Sequence, residues 1–278
     1  MVLQRIAVAE IQPLWLVALR LVAALAFFLP FLPRIRRVLD KNPRSLLDIG
    51  VVGALNPVGS ALFSALALQF ASSGLVALFV SLGPLFAALM AEVLPGKSRL
   101  GRGQLAGLIG AFGGVALLVT TRSTGLGAAV PADLRGYALA LAVALSLALS
   151  SVYADRRLEV TDPLAIASGQ IAAGLLLVLL LLPFMGGRVA PATFSAQAWL
   201  AVVLSGALGL GGSFVLLASM VKRHGPTAAL VALYVTPLAA AGLGAVLLGE
   251  SVTFPMAAGG ALILGGVFLF THQWTVAV

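Results

Sequence analysis

A chain of 278 residues that is 61% hydrophobic and 9% charged, with a mean hydropathy of +1.11, is not a soluble domain, because about a quarter of such a domain's residues are charged. The net charge of +8 does not signal nucleic acid, since the basic residues are distributed over alternate polar loops instead of gathering on one domain. Zero cysteines exclude disulfides and thiol chemistry.

A helix that crosses about 30 Å of hydrocarbon needs about 20 apolar residues. Nine stretches qualify: 14–33, 47–69, 74–94, 102–121, 134–153, 163–186, 197–219, 226–248 and 254–273. Their apolar character is continuous, not alternating, which predicts an all-α polytopic membrane protein and not a barrel. The leader before Pro13 is too short to span and lacks the pattern of a signal peptide.

In chain order, Arg20 lies six residues into the first stretch, roughly 9 Å deep. It fits either a structural pairing or a substrate-anion or gating role. The second stretch is interrupted by Asn56-Pro57-Val58-Gly59-Ser60 and carries Phe63, a candidate aromatic wall. The third holds Ser81 and Pro84 and ends near Glu92, which is close enough to the polar boundary to read as structural, with a charge role as the alternative. In the fourth, Gly103, Gly107, Gly110 and Gly114 are spaced by three or four, as in a packing seam. The fifth puts Ser146, Ser150 and Tyr153 on one face. The seventh contains Gly209-Leu210-Gly211-Gly212-Ser213, and the eighth Tyr234, Thr236 and Pro237, with Glu250 at the corner beyond.

These features repeat at an offset of 153: Leu29-Pro30-Phe31 maps onto Leu182-Pro183-Phe184, Gly59-Ser60 onto Gly212-Ser213, and Pro84 onto Pro237. After one deletion, Gly107 and Gly113-Gly114-Val115 map onto Gly259 and Gly265-Gly266-Val267. An internal duplication is the simplest cause. Its halves are 1–122 and 134–278, within one integral membrane domain. Projecting the stretch 134–153 back by 153 places its partner before Met1, so a tenth, N-terminal helix is expected. Five spans per repeat give the two copies opposite orientations, as in many secondary transporters. Twelve Lys and Arg in the odd-numbered loops against three in the even ones place the odd loops and the C-terminus in the cytoplasm.

The stretch from Ala67 to Val119, with Pro84, Gly107 and Gly113-Gly114-Val115, resembles the EamA domain of the drug/metabolite transporter superfamily. The stretch from Ser219 to Phe270 resembles a second copy, with Leu248-Gly249-Glu250 matching that family's Leu-Gly-Glu signature and Arg20 standing where its second helix commonly carries an Arg. The first copy has Pro95-Gly96-Lys97 where Leu-Gly-Glu is usual. The resemblance implies ten helices in two inverted five-helix repeats and export of small metabolites such as amino acids.

A substrate site is expected where Gly or Pro interrupts helices near the midplane. The candidates are Asn56, Ser60, Phe63, Ser81, Ser150, Tyr153, Ser213 and Tyr234, with Pro57, Pro84, Gly211, Gly212 and Pro237 as gating positions. Ser and Thr hydroxyls in such helices also bond their own backbone. The sequence offers no Ser-base pair or paired carboxylates at one depth, no metal cluster and no phosphate loop, so neither an enzyme nor a cofactor is expected. The resulting expectation is an alternating-access exporter in the inner (plasma) membrane, a monomer or homodimer, with a small-molecule substrate and the lipid bilayer as its partners and no nucleic acid. The alternatives are a flippase for a lipid-linked sugar or headgroup and a non-transporting scaffold.

Overall fold

The computed structural model describes residues 1–31, 45–92, 101–126, 133–158, 163–185, 194–224 and 226–276, and every regular element among them is helical. In order these are α1 (Val2–Val8), α2 (Pro13–Phe28), a 3-10 turn (Leu29–Phe31), α3 (Ser45–Gly53), π1 (Ala54–Ser60), α4 (Ala61–Ala67), α5 (Ser73–Val80), α6 (Gly83–Glu92), α7 (Arg102–Thr120), α8 (Leu134–Arg157), α9 (Pro163–Met185), α10 (Ala196–Gly206), π2 (Ala207–Gly212), α11 (Ser213–His224), α12 (Pro226–Leu248) and α13 (Phe254–Val276). Among the described residues, eight helical runs are long and apolar enough to cross a bilayer, and Tyr234–Leu248 within α12 is a shorter apolar run. Large apolar side chains such as Leu180 and Phe184 stand exposed along these runs, an arrangement favourable against lipid and costly against water.

The chain divides into two compact units. In the α2 unit (Leu3–Ala65 and Ser150–Val231), α2 packs on α9 through a core that includes Val17, Leu21, Ala24, Phe28, Ala167, Ile171 and Val178. The same α2 packs on α10 and π2, and α9 packs on α3 and π1. Since α2 matches α9 and α3–π1 matches α10–π2 under the 153 offset, each repeat's interrupted helix lies against the other repeat's intact one. Gly53 and Gly206, one offset apart, permit the close approach. A Cβ on Gly53 would sit 2.6 Å from the Gln170 carbonyl oxygen, and one on Gly206 would sit 2.4 Å from that of Arg20.

In the α7 unit (Met1–Val2, Leu66–Leu149 and Ala232–Val278), α7 and α13 meet along a glycine seam. A Cβ at Gly107 would lie 2.6 Å from the Gly266 oxygen, and one at Gly114 would lie 2.6 Å from the Gly259 oxygen. The lower number on one helix faces the higher on the other, so these equivalent helices run antiparallel and the repeat is inverted.

The structure also gives a physical account of the Leu-Gly-Glu signature. After Leu248 ends α12, Gly249 takes φ +64°, a left-handed conformation that glycine adopts without a Cβ penalty, and the Glu250 N–H returns to the Gly244 carbonyl at 3.2 Å. The turn presents the Glu250 carboxylate to the start of α5, where it accepts from the Ser73 N–H at 2.9 and 3.0 Å and from the Ser73 hydroxyl at 2.7 Å. Gly244 keeps the space open, since a Cβ there would meet Glu250 Oε2 at 2.2 Å. The corner glutamate thus satisfies helix N-terminal donors on the other repeat.

Candidate functional site

Both breaks expected from sequence are π-helical, and both lie in the α2 unit. π1 begins at Ala54 and π2 at Ala207, one offset of 153 apart. In π1, Pro57 lacks an N–H and cannot continue the α ladder. In π2 there is no proline; Gly209, Gly211 and Gly212 weaken the helix instead. Interruptions of this kind free backbone groups and are frequent at functional sites.

The hydrogen bonds around the two breaks are matched. The Ser60 hydroxyl donates to the Asn56 carbonyl and lies 3.4 Å from Asn56 Oδ1, while the Ser213 hydroxyl donates to the equivalent Gly209 carbonyl at 2.8 Å and to Leu210 at 3.1 Å. Two residues before each stretch, a carbonyl is met by a side chain of another helix. Ser150 Oγ donates to Val52 at 3.5 Å, and Arg20 Nη2 donates to Ser205, the 153-offset equivalent of Val52, at 3.4 Å. Beyond π1, Gln4 Nε2 donates to the Ala61 carbonyl at 3.1 Å and Gln4 Oε1 accepts from Ser64.

The helices that lead into the breaks are each tied by a carboxylate. The Tyr153 hydroxyl donates to Asp48 Oδ1 at 2.7 Å, fixing the first turn of α3. Glu10 accepts from the Ser195 N–H at 2.8 Å and from its hydroxyl at 2.7 Å, at the N-cap of α10. Donation by the Ser195 backbone, and then by its hydroxyl, holds the exposed Glu10 carboxyl below the usual carboxylate range.

The predicted candidates therefore divide. Asn56, Ser60, Phe63, Ser150, Tyr153 and Ser213 belong to the α2 unit, with Pro57, Gly211, Gly212 and Arg20; Ser81, Pro84, Tyr234 and Pro237 belong to the α7 unit. Asn56, Ser60 and Phe63 are half-buried, Ser150 is buried and Ser213 is exposed. In the α7 unit, Ser81 Oγ donates to the Leu78 carbonyl at 2.6 Å, and the Tyr234 hydroxyl pairs with Thr271 Oγ1 at 2.7 Å. Pro237 is buried within continuous α12. Pro84 differs from the mid-helix expectation. α5 stops at Val80, a turn follows at Ser81 and Leu82, and Pro84 is the second residue of α6, in the first turn where proline costs no hydrogen bond. The side chain of Glu92 lies outside the described residues.

Sequence reasoning missed Asp48, Gln170 and Ser205. Gln170 is buried in an otherwise apolar stretch, with its Oε1 unpartnered among the described residues; a lone amide in such a stretch was a readable signal. Asp48 near the start of its helix was legible as charge but not as the partner of Tyr153. The carbonyl of Ser205 has no residue-type signature. No group of three His, Cys, Asp or Glu suited to a metal occurs among the described residues.

A duplicated, inverted bundle of apolar helices with a matched pair of helix interruptions defines a polytopic membrane protein built on a transporter plan. The sequence profile of the EamA-like transporter family matches residues 1–120 and 134–272, and the chain belongs to that family. A solved chain described only as "Crystal structure of protein" is similar at a TM-score of 0.67 and 25% identity, covering 98% of this chain and 92% of that one. No curated protein matches the sequence.

Proposed function

We propose that the protein exports small polar metabolites such as amino acids from the cytoplasm by alternating access, without enzymatic activity of its own. The matched π stretches carry this reading. Two equivalent helices lose regular hydrogen bonding at the same register, each against the intact helix of the other repeat. Irregular backbone at membrane depth is tolerated where it is buried in protein or lines a polar path. In an inverted repeat, such breaks frame the substrate and permit exchange between two related packings. Asn56, at π1, is the side chain we assign to the substrate, with Ser60 and Ser213 at the same breaks and Tyr153 bonded to the start of the helix that leads into π1. The charge bias of the loops supports an inner (plasma) membrane orientation with the C-terminus cytoplasmic.

The test is a toxicity-resistance screen over amino acids and their analogues, with and without overexpression, followed by flux in proteoliposomes. Export of at least one compound is expected, and Asn56→Ala should slow it several-fold, as loss of about 0.5–1.5 kcal/mol of hydrogen bonding implies. Unchanged flux in Asn56→Ala would remove the site assignment, and absence of flux for every compound would remove the exporter reading.

A further inference from the structure

We infer that Arg20 is the binding group for a substrate carboxylate, an inference that rests on the exporter reading and names its substrate class. Arg20 stands midway along α2, seven residues after Pro13, or about 10 Å from the helix start at 1.5 Å per residue. It is 7% exposed, and every other Lys, Arg, Asp or Glu in the spanning runs lies at or near a run end. A guanidinium offers five N–H donors. Among the described residues, Nη2 donates to the Ser205 carbonyl at 3.4 Å, and Nε and Nη1 are buried with no hydrogen-bond partner.

A cation withdrawn from water without an anion costs several kcal/mol, and one long bond to a neutral carbonyl does not offset that. The described carboxylates of the same unit are committed elsewhere or remote in sequence. Glu10 holds Ser195, Asp48 accepts from Tyr153, and Asp155 is exposed in the last turn of α8. The chain therefore supplies the charge at mid-depth without its described partner, and a ligand anion completes it. Charge balance selects the anion. A carboxylate carries one negative charge and matches one guanidinium, whereas a phosphate monoester carries about −1.5 to −2 and calls for a second cation, of which the described mid-span residues hold none. Because the occupied arm of Arg20 reaches the carbonyl two residues before π2, a carboxylate on the other nitrogens is tied to the break itself.

The purified full chain in detergent is titrated with alanine, serine, leucine and phenylalanine, with the amide of each, and with inorganic phosphate, and thermal unfolding is followed by tryptophan fluorescence. At least one amino acid is expected to raise the unfolding temperature while its amide does not. Arg20→Met should weaken that amino acid's apparent affinity about tenfold to a hundredfold, with an unfolding temperature without ligand no lower than that of the parent, since an unpaired buried charge is gone. Arg20→Lys, which keeps charge but loses the planar fork, should bind about fivefold to tenfold more weakly, and it decides the matter if the Met variant does not fold. Equal stabilisation by acid and amide overturns the inference. So do unchanged affinity in Arg20→Met or Arg20→Lys, stabilisation by phosphate alone, and absence of any carboxylate effect. Transport of a compound without an anionic group removes this inference and leaves the exporter reading standing, while Arg20-dependent carboxylate binding without flux does the reverse.

Discussion

π1 and π2 reach one geometry by different chemistry. π1 depends on Pro57, which lacks a donor, and π2 on three glycines, with Leu210 at the position equivalent to Pro57. The carbonyl before π1 is met by a neutral hydroxyl, and the carbonyl before π2 by a buried guanidinium. What is held in common is the register of the break, the glycine that lets the neighbouring helix approach, and the serine that returns to the broken turn. Geometry is thus retained where residue identity is not, and the contact that differs in charge is the one on the carbonyl before each break.

Proline substitution tests whether the two breaks are alike. Val203→Pro, within regular α10, should cost about 3 kcal/mol or more. Leu210→Pro places proline where the first repeat already has it and should cost less than half of that. Thermal unfolding of the two variants decides it, and equal losses would mean that π2 is not the counterpart of π1. Next in size, Gly206→Ala and Gly53→Ala each drive a methyl into a backbone carbonyl and should destabilise by about 1–3 kcal/mol. Gly206→Ala is expected to be the worse, because its approach is 2.4 Å against 2.6 Å; neutral behaviour of both would refute the close helix contact.

Tyr153→Phe removes the bond to Asp48 and should lower stability by about 0.5–1.5 kcal/mol. Asp48→Asn should cost less, since the amide oxygen can still accept; the reverse order would assign Asp48 a role beyond anchoring α3. The smallest effect belongs to Glu10. Its carboxyl is depressed in the folded state, so its contribution is present above the ordinary glutamate range and fades as pH falls through and below it. Glu10→Gln should reduce the difference in unfolding temperature between neutral and acid pH, and an unaltered pH profile would show that the Ser195 cap contributes nothing.

Much of this architecture was written in residue types. The Asn-Pro and Gly-Gly-Ser clusters at one offset announced both breaks, and the glycine spacing of α7 announced the seam, because Pro and Gly act on the backbone wherever they stand. Pro84 was legible as a break but not as a helix start, since proline terminates one segment and opens the next by the same ring. The partners of Arg20 and Ser150 were not legible. Both donate to carbonyls, which every residue carries, so only the fold reveals which carbonyl is near. Tyr153 was placed on a face by spacing, and its acceptor Asp48, 105 residues away, required the packing of α3 against α8.

The glycine seam between α7 and α13 has the form of an isologous interface. Gly107 faces Gly266 and Gly114 faces Gly259, while Gly107 is equivalent to Gly259 and Gly114 to Gly266. Each contact is therefore the other with its partners exchanged, as across the two-fold axis of a homodimer. One helix of one repeat already carries both sides of the surface it needs. A seam of this kind cannot be improved on one side alone, because a bulkier residue at either glycine meets a carbonyl whose own position depends on the glycine opposite.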